Sequence, residues 1–263
     1  MIHIKKFRKG FRYGYTKICE LGKRRKYELE FGIRVLPKGA KYSNDFEGEK
    51  CFLLLEGEIR ASINGKKYGL KRKSLFDENP TTFSLSKDYY LLIEAEEKTE
   101  LVEIQTRNNK NFEPIIVLPK EVKSESRGEK RLLDQRFVKT CWDYFSHPES
   151  NLVIGEVVTF PGNSSSYPPH GHPQPEIYFY RLLPSQGYGL AKLGEDAYVI
   201  RSNDTVKILN GLDHPQYAAP GYGLWYLWLV RHLPGVPYTG FKYVSEHKWM
   251  LTKDAEIWKP KRK

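Results

Sequence analysis

The chain has 263 residues, 40% of them hydrophobic and 14% aromatic, which is enough apolar material for a real core and excludes a disordered polymer. It has no run of roughly 18 apolar residues, and Met1-Ile2-His3-Ile4-Lys5-Lys6-Phe7-Arg8 lacks the apolar stretch of a signal peptide, so neither a membrane span nor export is expected. The net charge of +11 sits at the ends: residues 1–26 hold ten Lys or Arg against Glu20, and Lys259-Pro260-Lys261-Arg262-Lys263 adds four more. The remaining body is close to neutral, which argues against a nucleic-acid-binding surface and reads instead as solvated basic ends. Cys19, Cys51 and Cys141 are scattered, show no metal-ligand spacing and read as reduced thiols of a cytoplasmic protein.

In chain order, strand signals dominate. Phe31-Gly32-Ile33-Arg34-Val35-Leu36 leads into a Pro-Lys-Gly turn, and Cys51-Phe52-Leu53-Leu54-Leu55 is a short apolar run. Ile63-Asn64-Gly65-Lys66 carries the Asn-Gly pair of a tight hairpin, and Tyr89-Tyr90-Leu91-Leu92-Ile93 is a further strand. A polar, charged stretch at residues 111–131 is expected as a linker between an N-terminal domain (1–110) and a C-terminal one (132–263). The second half repeats the plan of the first. Ile154-Gly155-Glu156-Val157-Val158-Thr159-Phe160-Pro161-Gly162 matches the run from Phe31 to Gly39, and Ile177-Tyr178-Phe179-Tyr180 matches the run from Cys51. With little helical periodicity, the fold class is all-β: two tandem antiparallel β-sandwich or jelly-roll barrels.

Only the second copy carries metal-ligand chemistry. In Pro168-Pro169-His170-Gly171-His172-Pro173-Gln174-Pro175-Glu176 the His-x-His spacing puts two imidazoles on one face of a strand. Glu176 follows a Pro-flanked bend, and the turn Gly211-Leu212-Asp213-His214-Pro215 delivers a third imidazole. Three nitrogens and one carboxylate suit a first-row divalent metal with positions open for substrate. The loop Ala40 to Asp45 and the run Glu78 to Phe83, their counterparts in the first half, contain no His.

His-x-His-x3-Glu with a later His, on a duplicated β-barrel, is the pattern of the cupins, here as a bicupin. One branch is nearer. Gly155-Glu156-Val157, the stretch Pro161 to His172, Glu176-Ile177-Tyr178-Phe179-Tyr180-Arg181, and His214-Pro215 with Ala218 to Tyr222 resemble the 5-deoxy-glucuronate isomerase family of bacterial inositol breakdown. Ser74-Leu75-Phe76-Asp77 and His247-Lys248-Trp249 match as well, and 5-keto-4-deoxyuronate isomerase is a more distant relative. The resemblance implies one divalent metal on His170, His172, Glu176 and His214, zinc or manganese first, with iron or nickel as further candidates. It also implies aldose–ketose isomerisation of a small-molecule sugar acid. Tyr178, Tyr226 and Lys192 are the candidates for proton handling. Arg181, Arg231 and Trp228 are the candidates for substrate contact, with Arg201 also in range, because a carboxylate prefers a guanidinium or ammonium partner.

Several positions depart from the family pattern. Only Pro173-Gln174-Pro175 separates the His pair from Glu176, Ala191-Lys192-Leu193-Gly194 replaces a Gln-Arg-Val-Tyr run, and Leu212-Asp213 adds a residue before His214. Trp228 stands where Asn is expected, and Val230-Arg231-His232 where Met-Ala-Gly is expected. These changes spare the ligands and alter the walls around them. Two other readings therefore stay open: a metal-dependent C–C hydrolase that opens a diketo-inositol ring, and a non-enzymatic metal- or sugar-binding cupin. Bicupins often assemble, so a homo-oligomer is a candidate state.

Overall fold

The computed structural model describes residues 3–22, 28–129, 133–258 and 260–261. The basic residues Lys23 to Lys26, Lys259, Arg262 and Lys263, the last expected linker residues 130–131 and the neighbouring Leu132 lie outside the described residues. Two antiparallel β-barrels stand side by side, as the duplicated strand pattern predicts. In the second, a seven-stranded sheet runs in the order Ile4–Lys6, Asp204–Ile208, Glu176–Leu183, Gly223–Arg231, Leu152–Thr159, Arg136–Trp142, Lys123–Arg127. Facing it is a four-stranded sheet of Ser164–Ser165, Gln216–Ala218, Gly189–Leu193 and Asp196–Ile200. In the first barrel the long strand Glu49–Ile63 serves both walls, bending at a register shift between Leu54 and Glu56 and at Gly57 (φ 113°). The Asn64-Gly65 turn joins it to Lys66–Arg72, both turn residues at positive φ, as a two-residue hairpin of this twist demands.

The barrels share a core. Phe31, Leu53 and Ile104 from the first pack with Ile154, Ile177, Phe179 and Leu227 from the second. Strand alternation sends the intervening residues into each barrel's own core, Phe52 and Leu101 in one and Tyr178, Tyr180 and Tyr226 in the other. That is why Ile177 to Tyr180 is apolar or aromatic without a break: both faces of the strand are buried. A fully buried ion pair also spans the halves, with Arg72 Nη1 and Nη2 donating to the two Glu156 oxygens at 2.5 and 2.7 Å. Buried Glu49 adds a second link, accepting from Ser150 Oγ at 2.5 Å and the Asn151 amide at 2.8 Å.

The described part of the expected linker, residues 111–129, holds regular structure. Ile115–Val117 adds a strand to the first barrel and Lys123–Arg127 adds one to the second, with a short 3-10 turn, Pro119–Glu121, between them. The first described residues also cross over, because Ile4–Lys6 pairs with Asp204–Ile208 of the second barrel and Arg8 pairs with buried Asp204 at 2.6 Å. The basic N-terminal stretch is thus partly built into the fold, a role that charge counting alone does not reveal. No helix among the described residues is long and apolar enough to cross a membrane.

The two registers superpose. Gly32 and Phe52 both oppose Glu103 in the first barrel, as Gly155 and Tyr178 both oppose Trp228 in the second. Two residues earlier, Lys50 therefore stands where Glu176 stands. Its buried ammonium donates to the Tyr89 carbonyl at 3.0 Å, so the first barrel carries a tethered cation at that position.

Candidate metal centre

Three pieces of backbone converge inside the second barrel. Strand Glu176–Leu183 lies between Gly223–Arg231 and Asp204–Ile208 and turns Glu176 and Tyr178 inward. His170–Gly171 forms a two-residue ladder with Lys242–Tyr243, and His172 follows it. His214 comes from the turn after Asp204–Ile208, where Asn210 and Gly211 adopt φ of 62° and 70°. Gly171 faces that turn, and a Cβ on it would collide with the Gly211 carbonyl oxygen. Glycine between the two histidines thus lets both His-bearing segments meet. Gly171→Ala is expected to force them apart and weaken divalent-metal affinity by about 10–100-fold, the range for residues that orient ligands, as read by calorimetric titration.

His172 Nε2 and His214 Nε2 stand 3.1 and 3.2 Å from one oxygen of Glu176, and donor atoms of all three residues lie within 4.8 Å of one another. All three are buried. The Nδ1–H of His214 donates to the Leu212 carbonyl at 2.8 Å, and that of His170 to the Pro168 carbonyl at 3.0 Å. Each ring is thereby fixed with Nε2 free. Burial pushes His214 below its ordinary value and His170 down to about 4, so both rings are neutral near pH 7. Burial works to raise Glu176, but the facing His214 and His172 outweigh it and hold the carboxyl below its ordinary value. With its Nδ1–H given to Leu212, His214 aims Nε2 at a carboxylate oxygen 3.2 Å away, so a proton or a metal cation must lie between the two. His172 Nδ1 is buried without a partner. The donor set fits a divalent ion. His170 borders this cluster without entering it, its ring 5.0 Å from that of His214 and stacked at 4.0 Å on Phe241.

A cavity of about 180 Å³ opens over the cluster, smaller than the roughly 300–1,000 Å³ of drug-sized sites, and suits a small metabolite. Tyr178, Tyr226 and Trp228 line it, three of the residues singled out from the sequence. The Tyr178 and Tyr226 hydroxyls are joined through Ser166 Oγ, at 2.9 and 3.2 Å. Burial raises both phenols, Tyr226 to about 12 and Tyr178 well above its usual range with Glu176 adding to the effect, so both stay protonated. Trp228 lies across Gly155, where an added Cβ would come within 2.5 Å of the indole.

The other expected site residues stand elsewhere. Arg181 and Arg231 share strand faces with Phe179 and Leu229, so alternation directs them toward the first barrel and away from the cavity. Arg181 pairs with Glu100 at 2.7 Å, while Arg231 donates to Thr106 Oγ1 at 2.7 Å and to the Arg107 and His232 carbonyls. Lys192 pairs with Asp213 at 2.7 Å behind the His214 turn, and Arg201 reaches the Gln186 carbonyl. The arginines that line the cavity are Arg127 and Arg136, directly opposite each other in the Lys123–Arg127 and Arg136–Trp142 pair. Arg136 is buried and held by Asp134 Oδ2 at 2.9 Å and the Tyr167 carbonyl at 3.1 Å. Arg127 pairs with Glu125 at 2.6 Å and stays 45% exposed. Alternation of Arg136, Val138 and Thr140 was the available signal for that wall. Tyr238, Phe241 and Tyr243 complete it from a C-terminal segment that has no strand pattern to read.

Comparison with known proteins gives the family and the fold. A 5-deoxy-glucuronate isomerase from Geobacillus kaustophilus is 27% identical over 244 residues, covering 84% of this chain and 85% of its own. One from Bacillus subtilis is 24% identical over 243 residues, covering 85% and 88%. An IolB-like protein from Salmonella typhimurium superposes with a TM-score of 0.85 at 22% identity over 96% of this chain and all of that one. An oxalate decarboxylase variant from Bacillus subtilis shares the fold at a TM-score of 0.65 and 11% identity, covering 95% and 81%. The KduI/IolB family model matches residues 4–250, and this chain belongs to that family.

Proposed function

We propose that the protein is a metal-dependent aldose–ketose isomerase acting on 5-deoxy-glucuronate or a closely similar sugar acid. One observation carries the reading: two arginines line the same small cavity as a buried His/Glu donor cluster. The relatives' shared name supports it. His172, Glu176 and His214 would hold the ion, joined by His170 once its ring turns from Phe241 toward them, with zinc or manganese the best match to nitrogen and carboxylate donors. A divalent ion supplies a Lewis acid that polarises a substrate carbonyl and acidifies the neighbouring C–H. Arg127 and Arg136 bind and orient the carboxylate end. Tyr178 and Tyr226, protonated, offer hydrogen bonds where charge develops on substrate oxygen. Trp228, Tyr238 and Phe241 wall the cavity against bulk water. A neutral diketo-inositol ring would make no use of the positive charge that Arg127 and Arg136 add to the cavity wall, so ring-opening hydrolysis has less support.

The test is product mass and label. Metal-loaded protein in deuterated water is expected to convert 5-deoxy-glucuronate to an isomer carrying solvent deuterium on carbon. A product heavier by one water from a diketo-inositol, with no isomerisation of the sugar acid, would replace this reading with the hydrolase. Arg127→Gln is expected to raise KM for the acid by about 10-fold or more, the value of a hydrogen bond to a charged group, with kcat much less affected.

A further inference from the structure

Isomerising an aldose to a ketose moves two protons. One passes from C2 to C1, and the other passes from the C2 hydroxyl oxygen to the former aldehyde oxygen. We propose that Ser166, which the sequence reading left without a role, carries the second proton together with Tyr178, as a hydroxyl relay along the cavity wall. This rests on the isomerase reading above.

The placement is specific. Ser166 lies on the stretch that leads into the His-x-His pair, is partly exposed and lines the cavity. Its Oγ is 2.9 Å from the Tyr178 hydroxyl and is backed at 3.2 Å by Tyr226. Tyr226 is in turn held by Ser165 Oγ at 3.0 Å, which Thr159 Oγ1 contacts at 2.7 Å. Vicinal oxygens of a 2-hydroxy aldehyde are spaced much like two hydrogen-bonded hydroxyls, so the Tyr178–Ser166 pair matches both substrate oxygens at once. The transfer balances without any outside reagent. One hydroxyl of the pair accepts the O2 proton as it passes its own to the other, which gives its proton to O1. Each protein oxygen ends with one proton, and the hydrogen bond between the two is reversed. Ser166 also has a positive φ of 50°, a conformation that costs a non-glycine residue energy and clusters at functional sites.

The test uses full-length, metal-loaded protein with Ser166→Ala and Ser166→Gly, the glycine variant accommodating the positive φ. Both are expected to lose about 100-fold in kcat, the lower range for a positioned proton-transfer group, with KM and metal content unchanged. The decisive readout compares solvent-deuterium exchange at C2 of recovered substrate with product formation. Loss of the oxygen-to-oxygen relay leaves carbon proton removal intact, so this ratio is expected to rise by about 10-fold or more in both variants. If exchange and conversion fall together, or neither changes, while the wild type turns over, the relay is overturned and the isomerase reading stands. If the wild type itself neither exchanges nor converts the sugar acid, both are overturned.

Discussion

Replacing His172 by Ala is expected to abolish stoichiometric divalent-metal binding while leaving both barrels folded. The His172 ring is buried beside Glu176 and His214, with its Nε2 3.1 Å from the carboxylate. Its loss removes one of three donors that lie within 4.8 Å of one another. The side chain sits at the cavity floor and outside the shared core. Elemental analysis of dialysed protein, alongside circular dichroism, checks both halves of the statement, and a variant that keeps its bound metal overturns the ligand assignment. His147→Ala serves as the control, because that ring pairs with Glu149 at 2.9 Å and lines no part of the cavity.

The largest stability effect is expected at the ion pair between the barrels. Arg72 and Glu156 are both fully buried, and Glu156→Ala leaves an uncompensated guanidinium in the interior, at a cost of about 3–5 kcal/mol in chemical denaturation. The double variant Arg72→Met/Glu156→Leu is expected to recover most of that loss, because the penalty comes from the orphaned charge and apolar replacements of similar size remove it. A single variant with wild-type stability would show that solvent reaches the pair.

Much of the architecture was legible in the sequence because alternation and turn chemistry are local. The Asn64-Gly65 hairpin, the paired runs from Phe31 and Ile154, and the inward turn of Glu176 and Tyr178 all follow from a two-residue period. What local pattern could not supply was the second face. Arg181 and Arg231 lie on strands whose two sides are both buried, so neither side announces itself as the cavity. The arginines that do line the cavity come from the edge strand of the sheet and its neighbour, the first of them within a stretch whose charge reads as a linker. Ser166 was visible within the Asn163-Ser164-Ser165-Ser166-Tyr167 run, but only three-dimensional proximity to two phenols distinguishes it from its neighbours.

The crossover of strand Ile4–Lys6 constrains the order in which the molecule can be completed. Its partner strand is synthesised long after it, as the 196-residue separation of Arg8 from Asp204 illustrates. Until those later residues emerge, Ile4–Lys6 lacks its partner strand. Until it docks, Asp204–Ile208 presents an open edge to other chains. The barrel with the candidate metal centre is therefore not a detachable module. Its final strand is supplied from the far end of the chain, so shortening that end is expected to disturb a site whose ligands all lie beyond residue 169.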